Sequence, residues 1–223
     1  MELIKLRVDF KNKLPPQTWP EDVRRVALGI VEDAHPAYEV VCNHKMIYPR
    51  LHFCRPGPSS FYFQGIGQRG KKAIIALMEA FATKPVFLDG HELTFDDLSL
   101  ATAEKSVGPV AGLLGYEVKS PLLLWEKFHL NEERTGDLVR DAEDALKRHF
   151  LWLQKQFDVD VPDLFIKVQN PKEVKKSLKK NMVRYPAIGR ATILTNMNLP
   201  PAIGHGVGLG WGSIRQLPLE KIF

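Results

Sequence analysis

Two cysteines in 223 residues, Cys42 and Cys54, are too few for a disulfide framework and fit a reducing, cytoplasmic setting. No apolar run approaches the roughly 18 residues that a membrane span requires, so no membrane partner is expected. The opening MELIKLRVDF puts acidic and basic residues where a signal peptide would have its apolar stretch, so none is expected. No GK[ST] triplet occurs after a glycine-rich turn, which removes the nucleotide P-loop. What remains is ordinary for a globular chain with a real core: 44% hydrophobic and 26% charged residues.

The chain has a formal charge of +5, and the charge is concentrated. PKEVKKSLKKNMVR (171–184) holds Lys172, Lys175, Lys176, Lys179, Lys180 and Arg184 against Glu173 alone, an excess equal to that of the whole chain. A solvated basic face is one reading of such a run; a footprint for a phosphate backbone is the other. About 20 residues downstream lies LPPAIGHGVGLGWGSI, with Gly204, Gly206, Gly208, Gly210 and Gly212 at every second position. Glycine costs about 0.5–1 kcal/mol against alanine in a helix or strand, so five in nine residues point to a backbone approached closely. An anion bound by bare N–H groups is the expected visitor. Leu209 stands where a dinucleotide loop has its third glycine, and too little chain follows for the helix that such a loop requires.

Periodicity gives the architecture. Leu3–Val8 alternates as a strand, and Thr18 with Glu21 forms a capping box before a helix buried through Val23, Val26, Ala27 and Ile30. MIYPRLHFC and SSFYFQ read as strands around the turn RPGP. A second helix from about Arg69 buries Ile74, Leu77, Met78 and Phe81, and KPVFLD or HELTFDDLSL closes the set. This is the β-α-β-β-α-β order. The second half repeats it less clearly: YEVKSPLLLW, a long helix from Asn131, DLFIKVQN, GRATILTN and a short strand from Trp211 and Ile214. The expectation is an α+β protein of two tandem ferredoxin-like βαββαβ domains, residues 1–112 and 113–223, divided near VGPVAGLLG.

Three groups of residues carry chemistry. GIGQRG presents Gly65, Gly67 and Gly70 after a strand and before a helix, with Asp89 about 20 residues on, in the form of a dinucleotide fingerprint. The strand before it lacks the continuous Val/Ile/Leu run of a buried parallel strand, so an oxidoreductase is the minor alternative and no cofactor is expected. Cys42, His44, His52 and Cys54 form two i, i+2 pairs that a hairpin could bring to one zinc. The spacing is uncommon and free cysteine is usually a small buried apolar residue, so no metal is assigned. NHKMIYPR places His44, Lys45, Tyr48 and Arg50 within seven residues. Those are the groups RNA cleavage without metal needs: a base for the 2′-hydroxyl, a second proton donor and cations for the phosphorane.

Taken together, TNMNLPPAIGHGVGLGWGSI (195–214) and CNHKMIYPRLHF…FYFQGIGQRGKKAI resemble the CRISPR repeat-RNA processing endoribonucleases. The first stretch resembles their C-terminal signature of Asn, Leu-Pro and a glycine-rich loop closing Gly-aromatic-Gly, here Gly210-Trp211-Gly212. The resemblance implies metal-independent cleavage of CRISPR precursor RNA within its repeats, leaving a 2′,3′-cyclic phosphate and a 5′-hydroxyl. It implies His44 as the catalytic histidine, with Tyr48 as its less firmly carried companion. Lys45, Arg50, Lys175, Lys176, Lys179, Lys180, Arg184 and the five loop glycines are then the expected RNA contacts. Trp211 either packs in the core or stacks on a base, and His205 is a substitute proton carrier. A CRISPR effector complex and a homodimer are compatible with the resemblance, as is a non-catalytic repeat-RNA-binding subunit of the same fold.

Overall fold

The computed structural model describes residues 1–31, 35, 37–42, 48–54, 56–123, 135–177, 184–204, 206–218 and 220, with backbone alone at 41, 42, 175–177, 184–186 and 209. The chain divides into two compact units, Met1–Lys105 with Gly208–Gly210, and Ser106–Val207 with Trp211–Phe223.

In the first unit, β1 (Glu2–Phe10) turns Ile4, Leu6, Val8 and Phe10 inward and Lys5, Arg7 and Asp9 outward, as its alternation dictates. Helix α1 (Pro20–Ile30) buries Val23, Val26, Ala27 and Ile30. The capping box expected from Thr18 and Glu21 is not used. Proline occupies the first helical position, the Asp22 carboxylate accepts from the Trp19 N–H (2.9 Å), and the Thr18 hydroxyl donates to the Pro15 carbonyl (2.7 Å). A short helix α2 (Tyr38–Cys42) follows, then β2 (Leu51–Phe53), β3 (Ser60–Ile66) and α3 (Gly67–Thr83). KPVFLD and HELTFDDLSL do not compete for one place. Val86–Leu88 (β4) and His91–Leu93 (β5) make a separate hairpin, and Phe95–Glu104 (β6) completes the main sheet. That sheet has the order β2-β3-β1-β6, all antiparallel. Phe10, Phe61, Phe63 and Phe81 fill its core edge to face, for example Phe10–Phe61 at 4.9 Å between centroids.

GIGQRG sits at the β3–α3 turn. A Cβ on Gly65 would lie 2.6 Å from the Gly70 carbonyl oxygen, and one on Gly70 would lie 2.4 Å from the Arg50 oxygen. These glycines let strand, helix and the Arg50 backbone touch. Since β3 runs antiparallel to both neighbours, the parallel βαβ unit of a dinucleotide fold is not formed here.

The second unit contains β7 (Gly108–Val118), α4 (Leu138–Phe157), β8 (Ile166–Ser177), β9 (Arg184–Asn198) and β10 (Ile214–Gln216). Asp137 caps α4, accepting from the N–H groups of Val139 (2.9 Å) and Arg140 (3.3 Å). The helix buries Ala142, Ala145, Leu146, Phe150 and Leu153, and the Glu143 carboxylate accepts from the Val168 N–H on β8 (2.9 Å). The sheet order β10-β7-β9-β8 matches the first unit strand for strand. Both are the ferredoxin order. The difference lies between the third and fourth strands. The first unit places the 17-residue α3 there, whereas the second has the glycine loop with one 3-10 turn, Val207–Leu209. The fold is α+β. Among the described residues no helix is long and apolar enough to cross a membrane.

Candidate functional site

The glycine loop is built against backbone. Gly204, Gly206, Gly210 and Gly212 all have φ between +66° and +86°, where a side chain is strained. A Cβ on Gly204 would lie 2.6 Å from the Leu123 oxygen, one on Gly210 2.6 Å from the Phe53 oxygen, and one on Gly212 1.8 Å from the Ile203 oxygen. Two hydrogen bonds close the turn on itself, Ile203 N–H to Gly212 O (2.9 Å) and Trp211 N–H to Gly206 O (3.3 Å), and the Gly212 N–H ties it to the Pro121 carbonyl (3.0 Å). Trp211 packs in the core, 8% exposed, and is not presented as a stacking platform. Gly208 differs from the rest. It sits in the 3-10 turn, and its missing Cβ would meet Pro49 at 3.4 Å and the Leu51 oxygen at 3.8 Å, both ordinary contacts.

Asn198 and Leu199, at the opening of the C-terminal signature, are both held by one side chain. The buried Tyr116 hydroxyl donates to Asn198 Oδ1 (2.9 Å) and accepts from the Leu199 N–H (3.0 Å), which fixes the chain as it leaves β9. Farther on, the Gly204 N–H donates to His149 Nε2 (2.8 Å), whose ring stacks on Trp152 at 5.2 Å. Tyr116 and His149 carry no motif. Their role follows from strand order and from the reach of α4.

Of NHKMIYPR, His44 and Lys45 lie outside the described residues. Tyr48 is buried, 1% exposed, with its ring edge-on to His52 at 5.5 Å. Arg50 is half-buried; desolvation lowers its pKa, the Tyr48 side chain opposes that shift, and Arg69 adds to it. Its carbonyl accepts from the Ile66 N–H (2.8 Å), so the backbone at 50 is tied to the end of β3. Pro49, between them, is the residue against which Gly208 lies.

Two of the four zinc candidates have other occupations. His52 is buried with Nε2 3.0 Å from the Pro49 carbonyl, and burial pushes its pKa down to about 4. It is therefore neutral, with the proton on Nε2. Burial pushes the Cys54 thiol up to about 11, away from the thiolate that a metal would need. The Cys42 side chain, His44 and His205 are outside the described residues. Among the described residues no group of three or more His, Cys, Asp or Glu side chains is placed to hold a metal ion.

The described residues of the basic segment lie at the C-terminal end of β8 and the start of β9. Lys175 is opposite Pro186, Lys176 opposite Tyr185 and Ser177 opposite Arg184, so the ladder runs to the last paired residue on each strand. Lys179 and Lys180 lie outside the described residues. The cations of 172–177 and 184 are thus held on paired strands.

No protein-family model and no curated protein matches the sequence. Solved structures do. A Cas6b crystal structure aligns at 20% identity and a TM-score of 0.71, covering 97% of this chain and 100% of that one. A second, the CRISPR RNA processing endoribonuclease Cas6b, aligns at 18% identity and 0.66 over the same shares. An RAMP protein binding different RNA substrates aligns at 15% and 0.61, covering 98% and 100%. Over nearly its whole length, the chain has the fold of the Cas6 CRISPR RNA processing endoribonucleases.

Proposed function

We propose that this protein is an endoribonuclease that cuts CRISPR precursor RNA within its repeats without a metal ion. The observation that carries the reading is the end-to-end match to Cas6 structures, 97% of this chain against the whole of the other. The antiparallel β3 and the glycine loop standing in for a helix are consistent with it. In the reaction, the 2′-oxygen forms a bond to the adjacent phosphorus as the bond from phosphorus to the 5′-oxygen breaks. The proton leaves the 2′-hydroxyl for a base, and another is delivered to the 5′-oxygen.

His44 is the proposed proton carrier, because an imidazole titrates near working pH. Tyr48, buried beside His52, is the proposed companion, and its placement suits holding the neighbouring backbone. Lys45, Arg50 and the cations of 175–184 would hold phosphates, with RNA backbone passing the glycine loop at Gly208, where an added Cβ would meet nothing closer than 3.4 Å.

The test is single-turnover cleavage of a labelled transcript of the CRISPR repeat, in excess EDTA, beside a filter-binding titration. The parent should cut and leave a cyclic phosphate. His44→Ala should bind within about twofold of the parent and cut at least ~100-fold more slowly, since acid–base groups contribute about 10²–10⁴ in rate. Activity lost in EDTA and restored by Mg²⁺ would overturn the mechanism. Tight binding without cutting by the parent would make the protein a repeat-RNA-binding subunit.

A further inference from the structure

The β8–β9 ladder is interrupted on both sides of one residue pair. From Gln169 to Lys172 the first strand advances three residues while its partner advances two, from Thr192 to Arg190. The extra residue is accommodated at Asn170, whose φ of +49° is rare outside glycine. On the other side, from Arg190 to Ile188, β9 takes the extra residue at Gly189, where a Cβ would lie 2.6 Å from Val174. Between these two bulges stands a single register pair, Lys172 opposite Arg190. Bulges re-aim side chains, and here they set two cations directly across from one another.

That arrangement is unfavourable by itself. Side chains directly opposite in an antiparallel pair have Cβ atoms about 4.5–5.5 Å apart, and like charges there repel. Both residues are exposed, on the face of β9 shared with Thr192 and opposite that of buried Ile193. Among the described residues neither has an ion-pair partner. Glu117, opposite Thr192 on the same face, is already taken by Arg215 (2.7 Å) and Lys119 (3.2 Å). An anion between the two cations removes the repulsion and fits the fork of an arginine with the point charge of a lysine.

We infer that Lys172 and Arg190 form a clamp for one backbone phosphate of the bound RNA. This rests on the RNA-binding reading above. Arg190 lies outside the basic run of 171–184, so charge counting along the sequence does not single it out.

The experiment compares the parent with Lys172→Gln, Arg190→Gln, the double variant and Lys147→Gln, the last an equal charge loss on the exposed side of α4. Repeat-RNA affinity is measured against salt. Each clamp variant should flatten the log–log slope by about 0.7, the value of one single-strand phosphate. The double variant should flatten it no further, because one phosphate is shared; Lys147→Gln should leave it unchanged. Without RNA, both single clamp variants should melt above the parent at low salt, with the gain gone at 1 M NaCl where repulsion is screened. If the parent binds RNA and the clamp variants keep its slope, the clamp is wrong and the RNA-binding reading stands. If the parent binds no RNA while inorganic phosphate stabilises it and not the variants, the RNA assignment falls and with it the proposed function.

Discussion

Gly212→Ala and Gly208→Ala remove glycines four residues apart in the same loop and should have opposite outcomes. At Gly212 the backbone sits at φ +66°, which costs a non-glycine residue about 1–2 kcal/mol. The new Cβ would also start 1.8 Å from the Ile203 oxygen, far inside contact, so the backbone must shift. That shift strains the hydrogen bonds Ile203 N–H to Gly212 O and Gly212 N–H to Pro121 O, each worth about 1 kcal/mol net. The sum is about 3–4 kcal/mol, against a typical folding stability of about 5–15 kcal/mol. In a chain of this size each kcal/mol moves the melting temperature by about 2–4 °C, so a fall of roughly 10 °C is expected. At Gly208 the new Cβ meets Pro49 at 3.4 Å, an ordinary contact, and φ is not positive. Its melting temperature should stay within about 2 °C of the parent, in line with a change of no more than ~0.5 kcal/mol. The assay is thermal unfolding followed by circular dichroism, with repeat-RNA binding measured on each folded variant. Gly212→Ala melting with the parent would refute the packing argument. If Gly208→Ala keeps its melting point and loses affinity for RNA, Gly208 is where the backbone passes.

Two other perturbations test the surroundings of the site. His52 has its pKa lowered from an ordinary 6.5 to about 4, so above pH 6.5 neither folded nor unfolded chain carries its proton. As the pH falls from 6.5 to 4, the unfolded chain takes up a proton that the folded one refuses, and stability is lost. Integrated over that window the loss is about 3 kcal/mol, which His52→Gln should abolish in urea unfolding at pH 7 and pH 4; parallel pH profiles for parent and variant would contradict the burial assignment. Tyr116→Phe leaves the buried Leu199 N–H without its acceptor and should cost about 1–3 kcal/mol in urea unfolding, an unchanged midpoint counting against the relay.

The sequence by itself determined the first unit in some detail. Ile4, Leu6, Val8 and Phe10 can be buried together only on an alternating strand, and Val23, Val26, Ala27 and Ile30 only on a helix, so those elements follow from local periodicity. The glycine spacing announced a backbone that something approaches closely. Tertiary structure decided what approaches it. Three of those glycines are needed because carbonyls of Leu123, Phe53 and Ile203 occupy the space of a side chain, and residues 81, 157 and 9 positions away leave no local signature. GRATILTN read as a strand, but neither Asn170 in β8 nor Gly189 in β9 shows by itself that their bulges set Arg190 against Lys172; register is a property of two strands meeting. His52 and Cys54 illustrate the same limit. Spacing offered them as metal ligands, and their burial, which depends on what folds over β2, made one a neutral imidazole held by Pro49 and the other a protonated thiol. Local sequence fixes which backbone conformations are cheap; the identity of each buried neighbour is settled only when distant segments compete for the same volume.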